Sequence, residues 1–338
     1  MTKTIHCIKV GPTPELGDFE LSCVDSWKKV YPDFEIKYWA DKELIPLINT
    51  CKYAVSCYNK GKYAFAMDYV KLKVLYEYGG LYMDTDVFCI NRVPDSYFEK
   101  AFTAWDPGFD TYWSQNGTCL YCESGNKTIG EMVAYYQTFD EYPNVSYDNT
   151  VVEHIMRNKG VIWDKNRLTC RFTNQEVDDD IRVYNCIQFG AWDYVQKCYL
   201  GSNSENLPIY FVHCRTKSWC GFDKENVQIF YAFINDDTDM FRLSNAINSF
   251  INMKVTGNTK PVLLLALNSI GKEEVFCKRL WMELGLKSEK SWNIFPLGNG
   301  LNDEDLNRAF LDYITKRYNK IKFCRNIMEG DFDGTLHV

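Results

Sequence analysis

Two carboxylates, Asp84 and Asp86, close the run Glu77-Tyr-Gly-Gly-Leu-Tyr-Met-Asp-Thr-Asp-Val87. A helical stretch stops at a glycine pair, an apolar strand follows, and the acids stand at its far end. Paired acids at the end of a buried strand are costly unless positive charge meets them. Ligands of open α/β sheets bind at the carboxyl ends of strands. In extended geometry positions i and i+2 share a side, so both carboxylates can address one site. Such oxygen ligands suit Mg2+ or Mn2+ together with substrate phosphate oxygens. A cation held there would neutralise a leaving diphosphate.

Spacing alone does not distinguish this pair, because the chain contains five Asp-x-Asp triplets. Asp178/Asp180 and Asp237/Asp239 lie in acidic turns, where Asp favours the turn backbone. Asp303/Asp305 fall in the first turn of a predicted helix, where acids complement the dipole. Asp331/Asp333 belong to Asp331-Phe-Asp-Gly-Thr-Leu336, which spells the nucleophile motif of haloacid-dehalogenase-type phosphatases. That chemistry needs an apolar strand before the motif and a domain after it. Arg325-Asn-Ile-Met-Glu-Gly330 precedes it and two residues follow, so the match reads as coincidence or a truncated remnant. Only Asp84/Asp86 has the setting of helix, glycine stop and strand.

The elements that must position the pair follow from periodicity. Thr4–Val10 reads as a strand, Phe19–Val30 as a helix and Phe34–Trp39 as a second strand, together a parallel crossover unit. Phe34, Ile36 and Tyr38 are expected on one face. A helix is expected over Lys42–Asn49 and a longer one over Lys62–Tyr78. In the latter, Phe65, Tyr69, Leu72 and Tyr76 form the stripe of a helix packed on a sheet. Asp68 and Lys71 lie beside that stripe. Gly79 supplies the helix stop and Gly80 starts the strand without steric conflict. Short strands and loops are expected from Phe102 to Tyr121, and helices over Thr128–Phe139 and Asn149–Asn158. Asp178–Asp180 reads as a solvated turn and Leu207–Cys214 as an apolar strand. Beyond about Lys254 strands and helices alternate again: Val262–Leu267, Glu273–Leu284, Trp292–Pro296, Asp303–Tyr318 and Lys320–Cys324. The expected division is 1–250 for the main domain and 251–338 for a small α/β region.

At 338 residues and 46% apolar, the chain can bury a substantial core. Its net charge of −7 argues against a nucleic-acid binder. No apolar run has membrane-span length, and the N-terminus reads straight into a strand without a secretory signal. A cytoplasmic compartment is therefore the expectation. There the 14 Cys are reduced thiols, and the glycosylation triplets at Asn116, Asn126 and Asn144 carry no meaning. Cys119-Leu-Tyr-Cys122 lacks a second pair or nearby His for structural zinc.

From Thr4 to about Gly221 the sequence resembles the DXD-containing glycosyltransferases of family 32. These include bacterial capsular-polysaccharide sugar transferases and the yeast initiating mannosyltransferase, with the glucosylating clostridial toxins as distant relatives. The segments that carry the resemblance are Ile5-His6, Ser26-Trp27-Lys28, Tyr63-Ala-Phe-Ala-Met-Asp-Tyr69, Leu75 through Asp86, and His213 through Ser218-Trp219. It implies an α/β GT-A fold, a Rossmann-like mixed sheet flanked by helices. It also implies a UDP- or GDP-sugar donor, Mn2+ or Mg2+, a glycan-type or other hydroxyl acceptor, and transfer with retention. A lipid-linked acceptor would bring the protein into peripheral membrane contact. Carried over by position, Asp68 hydrogen-bonds donor sugar hydroxyls, Asp84 approaches the ribose and metal-bound water, and Asp86 ligates the metal. His213 is a further ligand, and Ser218 and Trp219 reach the diphosphate. Ile5, His6, Lys9, Lys71 and Gly80 complete the donor-side set, and Asp68, Asp84 and Asp86 are the catalytic candidates.

Two positions depart from the pattern. Ile8-Lys9-Val10 stands where relatives commonly carry a Trp that stacks on the donor base. Lys71 replaces a favoured Arg, keeping the charge but losing the planar fork. No side chain is an evident nucleophile, which favours same-face substitution through an oxocarbenium-like state. A donor-binding scaffold that has lost turnover and a nucleotide-sugar hydrolase are the rival readings.

Overall fold

The computed structural model describes residues 1–11, 15–105, 119–140, 148–161, 174–190, 192–193, 198–199, 208–214, 226–235, 237–253, 259–268, 291–296, 301–318 and 320–330. The expected crossover unit opens the chain. Strand β1 (Thr4–Ile8), helix α1 (Asp18–Val30) and strand β2 (Glu35–Trp39) follow in order, with β1 and β2 parallel. Acids Asp18 and Glu20 in the first turn of α1 and Lys28 and Lys29 in its last complement the helix dipole. On β2 the buried side changes along the strand, so Phe34 and Tyr38, expected on one face, differ in burial. Phe34 is buried just before it, but Tyr38 faces solvent and Trp39 is buried instead. Trp39 turns inward because its indole donates to His6 Nδ1.

Helices α2 (Asp41–Ile48), α3 (Lys52–Asn59) and α4 (Tyr63–Tyr78) come next. The short α3 has no long apolar stripe and was not expected. Contrary to the single-stripe expectation, α4 is buried on most sides, Asp68 and Lys71 included. The cause is its surroundings: it packs on α2 and α3, on β3 (Gly80–Tyr82) and on α5 (Lys127–Tyr136). Further elements are β4 (Val87–Cys89), a 3-10 turn over Asp95–Glu99, β5 (Ala101–Ala104), β6 (Leu120–Cys122), α6 (Asp148–Asn158), β7 (Gln175–Glu176) and β8 (Ile181–Tyr184). Then come α7 (Cys186–Phe189), a two-stranded pair of β9 (Trp192–Asp193) and β10 (Cys198–Tyr199), and β11 (Phe211–His213). The predicted strand from 207 is thus confined to its last residues.

Among the described residues the main sheet has seven strands in the order β2-β1-β3-β6-β5-β8-β7, parallel and antiparallel mixed. This is the mixed, helix-flanked sheet expected of a GT-A-type fold. Its two faces carry separate cores, one including Leu72, Leu75 and Cys122, the other including Trp27, Leu81 and Cys119. Cys119 and Cys122 therefore lie on opposite faces, as odd spacing in a strand requires, and cannot share a metal. The turn over Asp178–Asp180 is tied down, not merely solvated. Asp180 accepts from Thr128 and Asn126 at the start of α5, and Asp178 pairs with Lys159.

A second sheet is wholly parallel. Its strands are β12 (Asn226–Ile234), β13 (Thr259–Leu267), β14 (Ser291–Pro296) and β15 (Ile321–Asn326), ordered β14-β13-β12-β15. Helices α8 (Met240–Asn252) and α9 (Asp303–Arg317) accompany it. The expected division at 250 falls inside this unit, because β12 pairs with both β13 and β15 and α8 runs to Asn252. Asp303 and Asp305 do sit in the first turn of α9, and Asp239 caps α8. The helix expected over Glu273–Leu284 and the Asp331/Asp333 motif lie outside the described residues. Among the described residues no helix is long and apolar enough to cross a membrane.

The junction of α4 and β3 fixes where the acidic pair emerges. Gly79 ends α4 at φ +65°, and Gly80 follows at φ +106°. A Cβ on Gly80 would sit 2.7 Å from the Thr4 carbonyl oxygen and 2.9 Å from His6 Nε2. Only glycine tolerates that conformation and that contact. His6 is fully buried beneath it, donating from Nε2 to the Gly79 carbonyl at 2.6 Å while Nδ1 accepts from Trp39. Both ring nitrogens are thus committed in the neutral form. Burial, aided by Lys37, holds the imidazole down at about 4 against the favourable bond to Gly79. The unfolded chain binds this proton near pH 6.5 and the folded one only near pH 4. Stability is therefore complete above pH 6.5 and declines as the pH falls toward 4, by about 3 kcal/mol from this group. Urea unfolding across that range should show a shallower pH slope for His6→Gln than for the native protein; equal slopes would exclude His6 as the cause.

Candidate active site

The acidic pair does not lie in an extended strand. Strand β3 ends at Tyr82, and the Val87 N–H returns to the Asp84 carbonyl at 3.0 Å, closing a turn over Asp84-Thr85-Asp86-Val87. The shared-side argument from strand periodicity is replaced by this turn, which leads straight into β4. Strand β11 pairs antiparallel with β4 and sets His213 opposite Val87. The Cys214 N–H then bonds the Asp86 carbonyl at 2.9 Å. His213 Nε2 lies 3.2 Å from Asp86 Oδ1 and 3.8 Å from Asp84 Oδ2.

One ligand atom from each of Asp84, Asp86 and His213 lies within 4.8 Å of the others, a separation that a single divalent ion can span. Two carboxylates and an imidazole fit Mn2+ well, since imidazole favours transition metals and carboxylates suit Mg2+ and Mn2+ alike. The set is half-buried, open enough for a substrate to complete the coordination.

Surrounding groups hold these ligands. The Tyr82 hydroxyl donates to Asp84 Oδ1 at 2.5 Å. Burial, then the Asp84 charge, push that phenol well above its usual range, so it remains a proton donor. Lys71 donates to Asp68 Oδ1 at 3.1 Å within α4, and its ammonium faces the Tyr82 ring at 5.8 Å. Thr85 donates to Glu20 Oε1 at 3.1 Å, and Lys9 pairs with Glu20 Oε2 at 2.7 Å. Ile5 and His6 lie fully buried in the sheet and support β3 from beneath. Gly80 sits at the junction described above. Ser218 and Trp219 lie outside the described residues.

Sequence reasoning overlooked Tyr82, Thr85 and Glu20. Tyr82 precedes Asp84 by two residues, which in a strand signals a shared side. Glu20 follows Gly17 by three, the spacing of a capping box.

Residues 17–103 match a family model described as a glycosyltransferase sugar-binding region containing a DXD motif, and the turn at Asp84-Thr85-Asp86 lies inside that stretch. Over that stretch the chain is similar to glycosyltransferase regions of the DXD type. Over 161 residues it is 24% identical to "Subversion of eukaryotic traffic protein A" of Legionella pneumophila subsp. pneumophila (strain Philadelphia 1), a match covering 38% of this chain and 24% of that protein. It spans about a quarter of that relative's length. A solved structure, "PaToxG Glycosyltransferase", aligns with TM-score 0.37 and 17% identity over 47% of this chain and 70% of that one, too loosely to carry an argument.

Replacing Tyr82 by Phe removes a hydrogen bond to an ionised acid without changing shape. Because Asp84 is partly solvated, the expected loss is about 1–2 kcal/mol, measured by urea unfolding with a chelator present. An unchanged midpoint would show that this bond does not hold Asp84.

Proposed function

We infer that the protein is a metal-dependent, retaining hexosyltransferase that moves a sugar from a UDP- or GDP-sugar to a glycan-type hydroxyl acceptor. The observation that carries this reading is the convergence of Asp84, Asp86 and His213 on one turn inside the matched sugar-binding region. These three residues would hold Mn2+ or Mg2+. When bound, the ion supplies positive charge for the donor diphosphate and for the nucleoside diphosphate that leaves.

The chain's own groups define the rest. Asp68, held by Lys71, is assigned to the donor sugar hydroxyls on its sequence position. Asp84, anchored by Tyr82, keeps its second oxygen toward His213 and the donor side. Lys9 and Lys71 add positive charge near the strand ends, while Gly80 lets the backbone pass closely over His6. Ser218 and Trp219 are assigned to the diphosphate on their sequence position. Cleavage of the anomeric C–O bond releases the nucleoside diphosphate, and the acceptor oxygen bonds to the same face as its proton is lost, giving retention. Among the described residues, the site's carboxylates are engaged by Tyr82, Lys71 and His213, which favours substitution without a covalent intermediate. A cytoplasmic compartment accords with eight buried free thiols among the described residues.

Incubation with a panel of nucleotide sugars and Mn2+ tests this reading. Nucleoside diphosphate release only with acceptor supports transfer. Release without acceptor would indicate a hydrolase, and binding without release a scaffold. Asp86→Asn should abolish metal-dependent release while circular dichroism remains native; retained activity would sink the metal assignment.

A further inference from the structure

Glu20 has no part in the reading above, yet its carboxylate joins the start of its own helix, the end of β1 and, 65 residues on, the acidic turn. Its Oε2 accepts from the Gly17 N–H at 2.8 Å, the one half of a capping box that a glycine N-cap allows at the start of α1. The same oxygen takes the Lys9 ammonium at 2.7 Å, and Lys9 also donates to the Glu15 carbonyl at 2.7 Å. Its Oε1 accepts the Thr85 hydroxyl at 3.1 Å. Thr85 is the residue between the two metal-side acids. Glu20 itself is largely buried, with its side chain 14% exposed.

This arrangement solves two physical problems. A turn that points two carboxylates at one ion needs its middle residue held back, or the acids swing apart toward solvent. A third carboxylate beside them is tolerable only if its charge is offset, and Lys9 does that. The cap and the ion pair fix the carboxylate before Thr85 reaches it, so Thr85 is tied to the rigid end of a helix. The same helix holds the outgoing strand. Trp27 Nε1 donates to the Val87 carbonyl at 2.7 Å, and the Cys89 N–H donates to Ser26 Oγ at 2.9 Å.

We propose that Glu20, neutralised by Lys9, is a positioning residue that acts through the Thr85 hydroxyl to hold Asp84 and Asp86 in metal-binding geometry. The assignment rests on the metal reading given above. It places Lys9 in service of the turn, whatever further charge it lends the donor.

Mn2+ binding to the full chain, without nucleotide, provides the test. Binding is followed by calorimetry and by the paramagnetic resonance of free Mn2+, with melting temperature recorded in parallel. Thr85→Val should weaken Mn2+ binding about tenfold, the scale of losing a partner that orients a metal ligand. Thr85→Ser, which keeps the hydroxyl, should recover binding to within about twofold of the native protein. In a Glu20→Ala background, Thr85→Val should add little, because the two groups act as one unit. Thr85→Ala replaces the valine variant if the latter melts early. Native-like binding by Thr85→Val, or the same weakening with and without Glu20, overturns the assignment while leaving the metal site standing. Failure of the native protein to bind Mn2+ overturns both.

Discussion

Two negative charges forced together at a tight turn set the terms for the rest of this structure. Asp84 and Asp86 repel one another, and the turn that joins them allows little relief. Each is met by a specific partner: the Tyr82 phenol on Asp84 and the His213 imidazole on Asp86. Each partner in turn must be delivered by an element with its own reason to be there. Tyr82 arrives on β3 because two glycines let α4 reverse into the sheet. His213 arrives on β11 because its strand pairs with β4. The gathering of charge explains why so much backbone precision is concentrated near residue 85.

A second layer of control lies in helix α1. Its first turn is bound by Glu20 and by a group from far along the chain, since Asp312 on α9 accepts the Phe19 N–H at 3.1 Å. That N–H is one of the donors a helix start leaves unpaired, and an acid there also favours the dipole. Beneath it, Phe19 and Cys23 share a hydrophobic cluster with Phe88, Val212 and the second sheet. Cys23 is fully buried, and burial raises its thiol well above the usual range. The helix bonded to the acidic turn is thus packed from behind by the C-terminal unit.

Much of this was legible in the sequence, for identifiable reasons. The parallel crossover, the glycine stop and the setting of Asp84/Asp86 are local signals, and short-range rules read them. The near-complete burial of α4 was legible only in part: Asp68 and Lys71 lie beside the apolar stripe, off the face a free surface charge takes, but the enclosure by α2, α3 and α5 is non-local. The turn at Thr85 was read as strand because alternation cannot distinguish a strand end from the first residue of a turn. The burial of Trp39 was not legible for a similar reason: its indole donates to His6, a partner distant in sequence. The pairing of β12 with β13 and β15 across position 250 is non-local and leaves no mark in a window of sequence.

The Asp312 contact and the shared cluster around Phe19 have a consequence for how this chain could be divided or recombined. The half that holds the acidic turn is not a detachable cassette. Removing the second sheet would uncover apolar surface on the back of α1 and unpair a backbone donor at its start. The helix that anchors the acidic turn would lose its footing, so the two sheets must be inherited, and altered, together.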